Sequence, residues 1–228
     1  MDANLTEWNK KHQDLRKALK NPLELEGAKQ LFLDVHAPLH ARSISAIQGW
    51  NLEEELWHGL SEAAFRRIPA GAGHSIAWCL WHLARIEDIT MNILVADAAQ
   101  VFREGDWARR LHSPIRDTGN LITPEGVQNL SVRVAFEDLR AYRNAVGQRT
   151  REVVFQLGSV DIPRKTPLAR LQRLLDEGAV LPTMTGLLDY WGNLTVAGLL
   201  LMPPTRHNLV HINECLLLKR KTLKSVKD

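Results

Sequence analysis

Apolar residues recur along most of this chain at the three- and four-residue steps of an α-helix, and no stretch shows the two-residue alternation of a half-buried strand. Within residues 24–49 the stripe is Leu31, Phe32, Val35 and Leu39, and Pro38 interrupts it, either kinking the helix or starting a new one. The loop PAGAGH (69–74) then breaks the pattern, and Ser75 is a natural N-cap for the next helix. From Ser75 the run SIAWCLWHLARIEDITMNILVADAAQVF contains neither Gly nor Pro, which predicts one long, well-buried helix. Asp117-Thr118-Gly119-Asn120 reads as a turn, and Thr123-Pro124-Glu125-Gly126 as a cap with Pro at the first helical position. Residues 131–157 are helical again, with Val134, Leu139, Tyr142, Val146, Val153 and Val154 on the inner side. After a break at 161–164, LARLQRLLDEG is a short helix closed by Gly178. TVAGLLLM then meets Pro203-Pro204, where a last helix begins and runs through Leu218.

Four substantial helices with short accessory ones predict an all-α fold, a four-helix bundle in a single domain over residues 1–228. Composition agrees: the chain has 228 residues, 45% of them hydrophobic and 24% charged, the balance of a globular protein able to bury a core. The net charge is only +3, and much of the excess sits in KRKTLKSVKD (219–228), which reads as a frayed, solvated basic tail. No basic-aromatic pattern accompanies it, so no nucleic-acid partner is expected. Two cysteines, Cys79 and Cys215, are too few for a disulfide framework and fit a reducing compartment. The N-terminus lacks a signal-peptide apolar core, and LTVAGLLLMPP stops short of the roughly 20 residues that a membrane span needs. A cytoplasmic location with no membrane partner is the expectation.

Histidine spacing carries the chemistry. Nine histidines placed at random would supply roughly a third of one pair at spacing four, yet the chain has two, His36/His40 and His207/His211. On a helix such a pair shares one face, where two imidazoles can hold one ion; zinc needs three or four ligands. His82 is the candidate third ligand, because it shares a helical face with Trp78, Cys79, Ile86, Ile89 and Ile93 and so points into the core. Alone it would read as a core histidine with a hydrogen-bond partner; beside the pair His207/His211 it reads as a ligand. Three neutral imidazoles leave a coordination position open, the pattern of a catalytic site. His36 and His40 share a face with Phe32, Ser43 and Ile47 and are expected to line the pocket or serve structure. His12, His58 and His112 stand in polar or loop-like contexts and are expected to be solvated. Cys79 and Cys215 fall near the proposed ligands but read as small apolar filler, and Trp78, Trp81 and Trp191 either wall a pocket or pack. A Gly-rich phosphate loop, GxSxG and HExxH are all absent, Asn208 standing where the last would need Glu.

HSIAWCLWHLARIED (74–88) followed much later by RHNLVHINE (206–214) resembles the DinB/YfiT-like superfamily. In that family a histidine within a pattern like SIxWxxxHxxxxE joins an HxxxH pair on the last bundle helix, positions matched here by His82, His207 and His211. The resemblance extends over roughly residues 28–218 and implies a four-helix bundle holding a divalent metal ion, often zinc or nickel, between helices. Many members follow the last histidine with Arg-Gly-Gln, whereas this chain has Ile212-Asn213-Glu214. Glu214 lies on the ligand face and has three open readings: an acceptor that orients an imidazole, a fourth ligand, or a surface glutamate.

Characterised relatives include thiol S-transferases and a thiol-dependent isomerase. The resemblance therefore implies a metal-dependent enzyme acting on a small molecule, with a low-molecular-weight thiol as one substrate class and hydrolysis as another use of the same site. The competing expectation is a non-catalytic binding or stress-response module that forms a homodimer through exposed helix faces.

Overall fold

The computed structural model describes residues 3–224. Among these the one departure toward β-structure is an isolated antiparallel bridge between Lys165 and Thr195, so the fold is all-α. Helix α1 (Ala3–Ala18) buries Trp8, His12, Leu15 and Ala18, a stripe at helical spacing, and packs along α2 (Leu25–His36). The Trp8 Nε1–H donates to the Val35 carbonyl at 2.8 Å and clips the two together. His12, expected in solvent, is only 2% exposed. Its charged and polar neighbours conceal that position 12 continues the Trp8–Leu15 stripe.

Pro38 has no N–H for the Asp34 carbonyl, so α2 ends at His36 and a single 3-10 turn, Ala37–Leu39, redirects the chain. Short helices α3 (Arg42–Ser45), α4 (Leu52–Trp57) and α5 (Glu62–Arg66) come next, the last two capped by Asn51 and Ser61. Helix α6 (Ile76–Asp88) starts at the Ser75 cap as expected, with Trp78 N–H donating to Ser75 Oγ at 3.0 Å. It lies at the centre of the molecule, and all its residues except Trp78 are buried.

The long helix expected to reach residue 102 stops earlier. After Asp88 the backbone widens into a π-helical stretch, Ile89–Ala96, and Asp97 ends it at φ 56°. Side chains compete for the backbone there: Thr90 Oγ1 donates to the Ile86 carbonyl at 2.7 Å and Asn92 Nδ2 to the Asp88 carbonyl at 3.1 Å. Asp88 then accepts the Val101 and Phe102 N–H groups, starting α7 (Val101–Glu104), after which comes α8 (Trp107–Arg110).

Residues 131–157 form not one helix but parts of two, α9 (Pro124–Arg133) and α10 (Phe136–Gln156), because Val134 and Ala135 are extended. All six inward positions expected in this region are nonetheless buried. Thr123 caps α9 as expected, and Gly178 at φ +64° closes the turn after α11 (Leu168–Asp176). The chain ends with α12 (Thr185–Asn193), α13 (Val196–Leu201) and α14 (Asn208–Lys224).

Pro203-Pro204 does not begin the last helix. Met202–His207 is a π-helical turn that joins α13 to α14, so the chain is helical from Val196. Neither proline brings an N–H to the carbonyls one turn back. Thr205 Oγ1 donates to the Leu200 carbonyl at 3.0 Å instead, and His12 Nε2 reaches the Leu201 carbonyl at 3.0 Å. Arg206 closes the arrangement, donating to His12 Nδ1 at 3.4 Å and lying over the Trp8 ring. Helix α1, which the apolar pattern did not reveal, thus holds the turn that leads into the histidine pair.

A buried ion pair and a buried tyrosine tie α10 into the core. Arg143 grips Glu53 of α4 at 2.7 Å, and Arg85 meets Asp88 at 3.2 Å while Tyr142 donates to the same Asp88 carboxylate at 2.6 Å. The basic tail is also more ordered than expected. Residues 219–224 belong to α14, and Lys219 Nζ caps the end of α4 through the Leu56 and His58 carbonyls; residues 225–228 lie outside the described part. Among the described residues no helix is long and apolar enough to cross a membrane.

Burial holds the His12 and His36 imidazoles at pKa values of about 4, below the ordinary 6.5. On acidification the unfolded chain therefore binds protons before the folded one, so stability is full above pH 6.5 and is lost as the pH falls toward 4. Urea midpoints measured across that window should fall, and His12→Gln should flatten the fall. An unchanged slope in the variant would show that His12 is not among the groups responsible.

Candidate metal centre

The turn at 117–120 sets the first histidine. Its Thr118 carbonyl accepts the His82 Nδ1–H at 2.6 Å, which fixes the tautomer and leaves the Nε2 lone pair free. Gly119 makes this approach possible: it has φ +73°, and a Cβ there would stand 2.6 Å from the Trp81 ring. Trp78 stacks on the other side of His82, centroids 4.8 Å apart and planes within 6°, so one tryptophan walls the site while buried Trp81 and Trp191 pack the core.

His211, on α14, donates from Nδ1 to Glu214 Oε2 at 2.9 Å. Of the three readings open for Glu214, this geometry is that of an acceptor orienting an imidazole. Its other oxygen, Oε1, lies 3.1 Å from His74 Nε2, and the His74 ring stacks on Trp78 at 4.5 Å. His207 is the last residue of the π-helical turn, and its Nδ1 is buried with no hydrogen-bond partner.

These three rings converge. Centroid separations are 5.1 Å for His82–His207, 5.1 Å for His82–His211 and 4.5 Å for His207–His211, and one ring nitrogen from each lies within 4.8 Å of the others. Burial lowers all three pKa values, that of His82 to about 4, so each ring is neutral near pH 7. A divalent ion requires neutral, lone-pair-bearing imidazoles. The residues fit such an ion on two counts: His82 and His211 commit Nδ1–H to an acceptor and keep Nε2 free, and the buried Nδ1 of His207 lacks any other partner.

Two neighbouring groups fit less well. Cys79 Sγ lies 3.5 Å from His211 Nδ1, but burial pushes its pKa well above the ordinary 9.0, and the thiol donates to the His211 carbonyl at 3.4 Å. His36 and His40 form a second cluster. Although they are four residues apart, they are not on one helical turn: His36 ends α2 and His40 is extended, yet their rings stack at 4.1 Å. Each Nε2 meets one oxygen of Glu87, at 3.0 and 3.1 Å, and each Nδ1 is buried without a partner. Ion ligation through Nε2 would move the proton to an Nδ1 that has no acceptor, so this cluster is built for hydrogen bonding to the carboxylate.

His58 and His112 are exposed as expected. Sequence patterns did not single out His74, Thr118, Asn208 or the function of Glu87. The pattern SIxWxxxHxxxxE ends on Glu87 but gives that residue no role.

Fold and cluster together define an all-helical protein whose inner histidines have the spacing that a metal ion could occupy. The chain belongs to the DinB superfamily, whose family model matches residues 46–203. The match contains His82 and ends four residues before His207, so the convergence of all three rings is a property read from the geometry. No curated protein matches the chain.

The hydrogen bond to Thr118 makes a direct prediction for His82. Long-range proton–nitrogen NMR of the metal-free protein should show its neutral ring protonated at Nδ1 and remaining neutral from pH 7 down to about 4. A ring protonated at Nε2 would have no lone pair on that nitrogen to offer and would contradict the arrangement.

Proposed function

We propose that this protein is a divalent-metal-dependent enzyme of the DinB class, with zinc or nickel held by His82, His207 and His211, acting on a small molecule of the thiol type. The observation that supports it is the convergence of three neutral imidazoles, two of them already oriented by acceptors at Nδ1. A bound ion would supply Lewis acidity, lowering the pKa of a thiol or water that takes an open position.

The chain's own side chains supply orientation and enclosure. Thr118 and Glu214 keep the His82 and His211 nitrogens aimed, and Trp78 excludes water from one face of His82. Beside the cluster, past Glu214, lies a groove of about 450 Å³ lined by Gly71, Gly73, His74, Leu217, Arg220 and Lys221. Its size suits a small molecule and its two basic residues an anionic end group. Hydrolysis at the same centre is the second use that this donor set supports.

Metal analysis by plasma mass spectrometry, on protein purified without a histidine tag, tests this reading. About one zinc or nickel ion per chain is expected, lost in His82→Ala and in His211→Ala while both remain helical by circular dichroism. Full metal content in either variant would sink the three-histidine assignment. No ion after loading with zinc or nickel would favour the alternative, a non-catalytic binding module.

A further inference from the structure

Three carboxylates are buried among the described residues: Glu53, Glu87 and Asp88. Two of them have an arginine. Glu53 is gripped by Arg143 through both Nε and Nη2, and Asp88 pairs with Arg85. Glu87, with 0% of its side chain exposed, has neither arginine nor lysine within ion-pairing distance among the described residues. Its partners are His36 Nε2, His40 Nε2 and the Asn208 side-chain amide, which donates to Oε2 at 2.5 Å.

Burial holds the His36 ring neutral, at a pKa of about 4. An imidazolium at position 36 or 40 would carry a charged N–H at Nδ1, where no acceptor stands for either ring. Gly147 presses on the His40 side of the cluster, where even a Cβ would come within 2.5 Å of Nδ1. Glu87 thus brings a negative charge into the core that two imidazoles and an amide hold by hydrogen bonds, with no arginine or lysine beside it among the described residues. Such a charge is costly unless a cation stands near.

The three-histidine cluster adjoins Glu87 through Asn208. Asn208, which holds Glu87 Oε2, directly follows His207, and the negative charge of Glu87 acts on the His207 ring. Three neutral ligands would leave the charge of a divalent ion to carboxylates beyond them, and Glu214, the one on His211, is partly exposed to solvent. We propose that Glu87 is the buried countercharge of the metal centre, delivered beside His207 through Asn208, and that it sets the affinity for a divalent cation. Glu87 is thus a positioning residue acting through Asn208 and His207, and this inference rests on the metal-site reading above.

Competitive titration of zinc ion into full-length protein freed of metal by chelation tests the proposal, beside Glu87→Gln, Glu87→Asp and His82→Ala. Glu87→Gln keeps the shape and removes the charge, so zinc should bind roughly 10–100-fold more weakly. The thermal stabilisation that zinc confers should shrink. Glu87→Asp keeps the charge and should stay within about tenfold of the parent. If the amide variant does not fold, the aspartate variant decides alone: loss of affinity beyond that bound refutes the countercharge.

Zinc binding lost in His82→Ala but unchanged in Glu87→Gln would overturn this inference and leave the three-histidine site standing. An equal loss in the aspartate and glutamine variants would assign the effect to shape and overturn it as well. A parent protein that binds no zinc would overturn both readings.

Discussion

A charge or a hydrogen-bonding group taken into the middle of a helical protein must find a partner there, and most of this molecule's internal geometry answers that demand. Arg143 fixes α10 to α4 because Glu53 is buried, and Arg85, Tyr142 and the start of α7 gather around Asp88 for the same reason. Thr205 serves the Leu200 carbonyl, which Pro204 leaves short of a donor, and His12 binds the next carbonyl, that of Leu201. The apolar stripes explain why these helices pack. The polar contacts explain why they pack in one register.

The histidine centre is an extension of this rule. Its rings come from two helices, and each relies on a group that the core supplies: a turn carbonyl for His82, a carboxylate for His211, a π-helical turn for His207. Burial keeps the rings neutral, the state in which imidazole nitrogen has a lone pair to give. The acceptors at Nδ1 then decide which nitrogen is free. Those acceptors set His82 and His211 apart from the His36–His40 pair, whose Nδ1 atoms have none.

How far the sequence reveals such a site depends on the range of the interactions. Periodicity placed the inner face of α10 and the caps at Ser75 and Thr123, because those are local properties. It also brought His82, His207 and His211 onto inward faces, and the resemblance to the DinB family gave them a shared role. Spacing misled for His36 and His40: four residues apart suggested a helical turn, but Pro38 ended the helix between them. Helix α1 was missed because only a narrow stripe is apolar amid charged residues. The partners of the rings could not be read at all, since Thr118 is 36 residues from His82 and Asn208 is 121 from Glu87. Nothing local distinguishes a turn carbonyl that meets a histidine from one that meets water.

The π-helical turn at Met202–His207 also constrains how this segment can vary among related chains. An α-helix advances about 100° per residue, so one residue gained or lost between Thr195 and Asn208 would rotate all of α14 by that angle. His207 and His211 would leave the cluster, and buried Leu209, Ile212 and Cys215 would swing out with them. Length is therefore locked more tightly than identity here. A side chain can be exchanged without moving the cluster, whereas a change of length must be taken up within the turn itself.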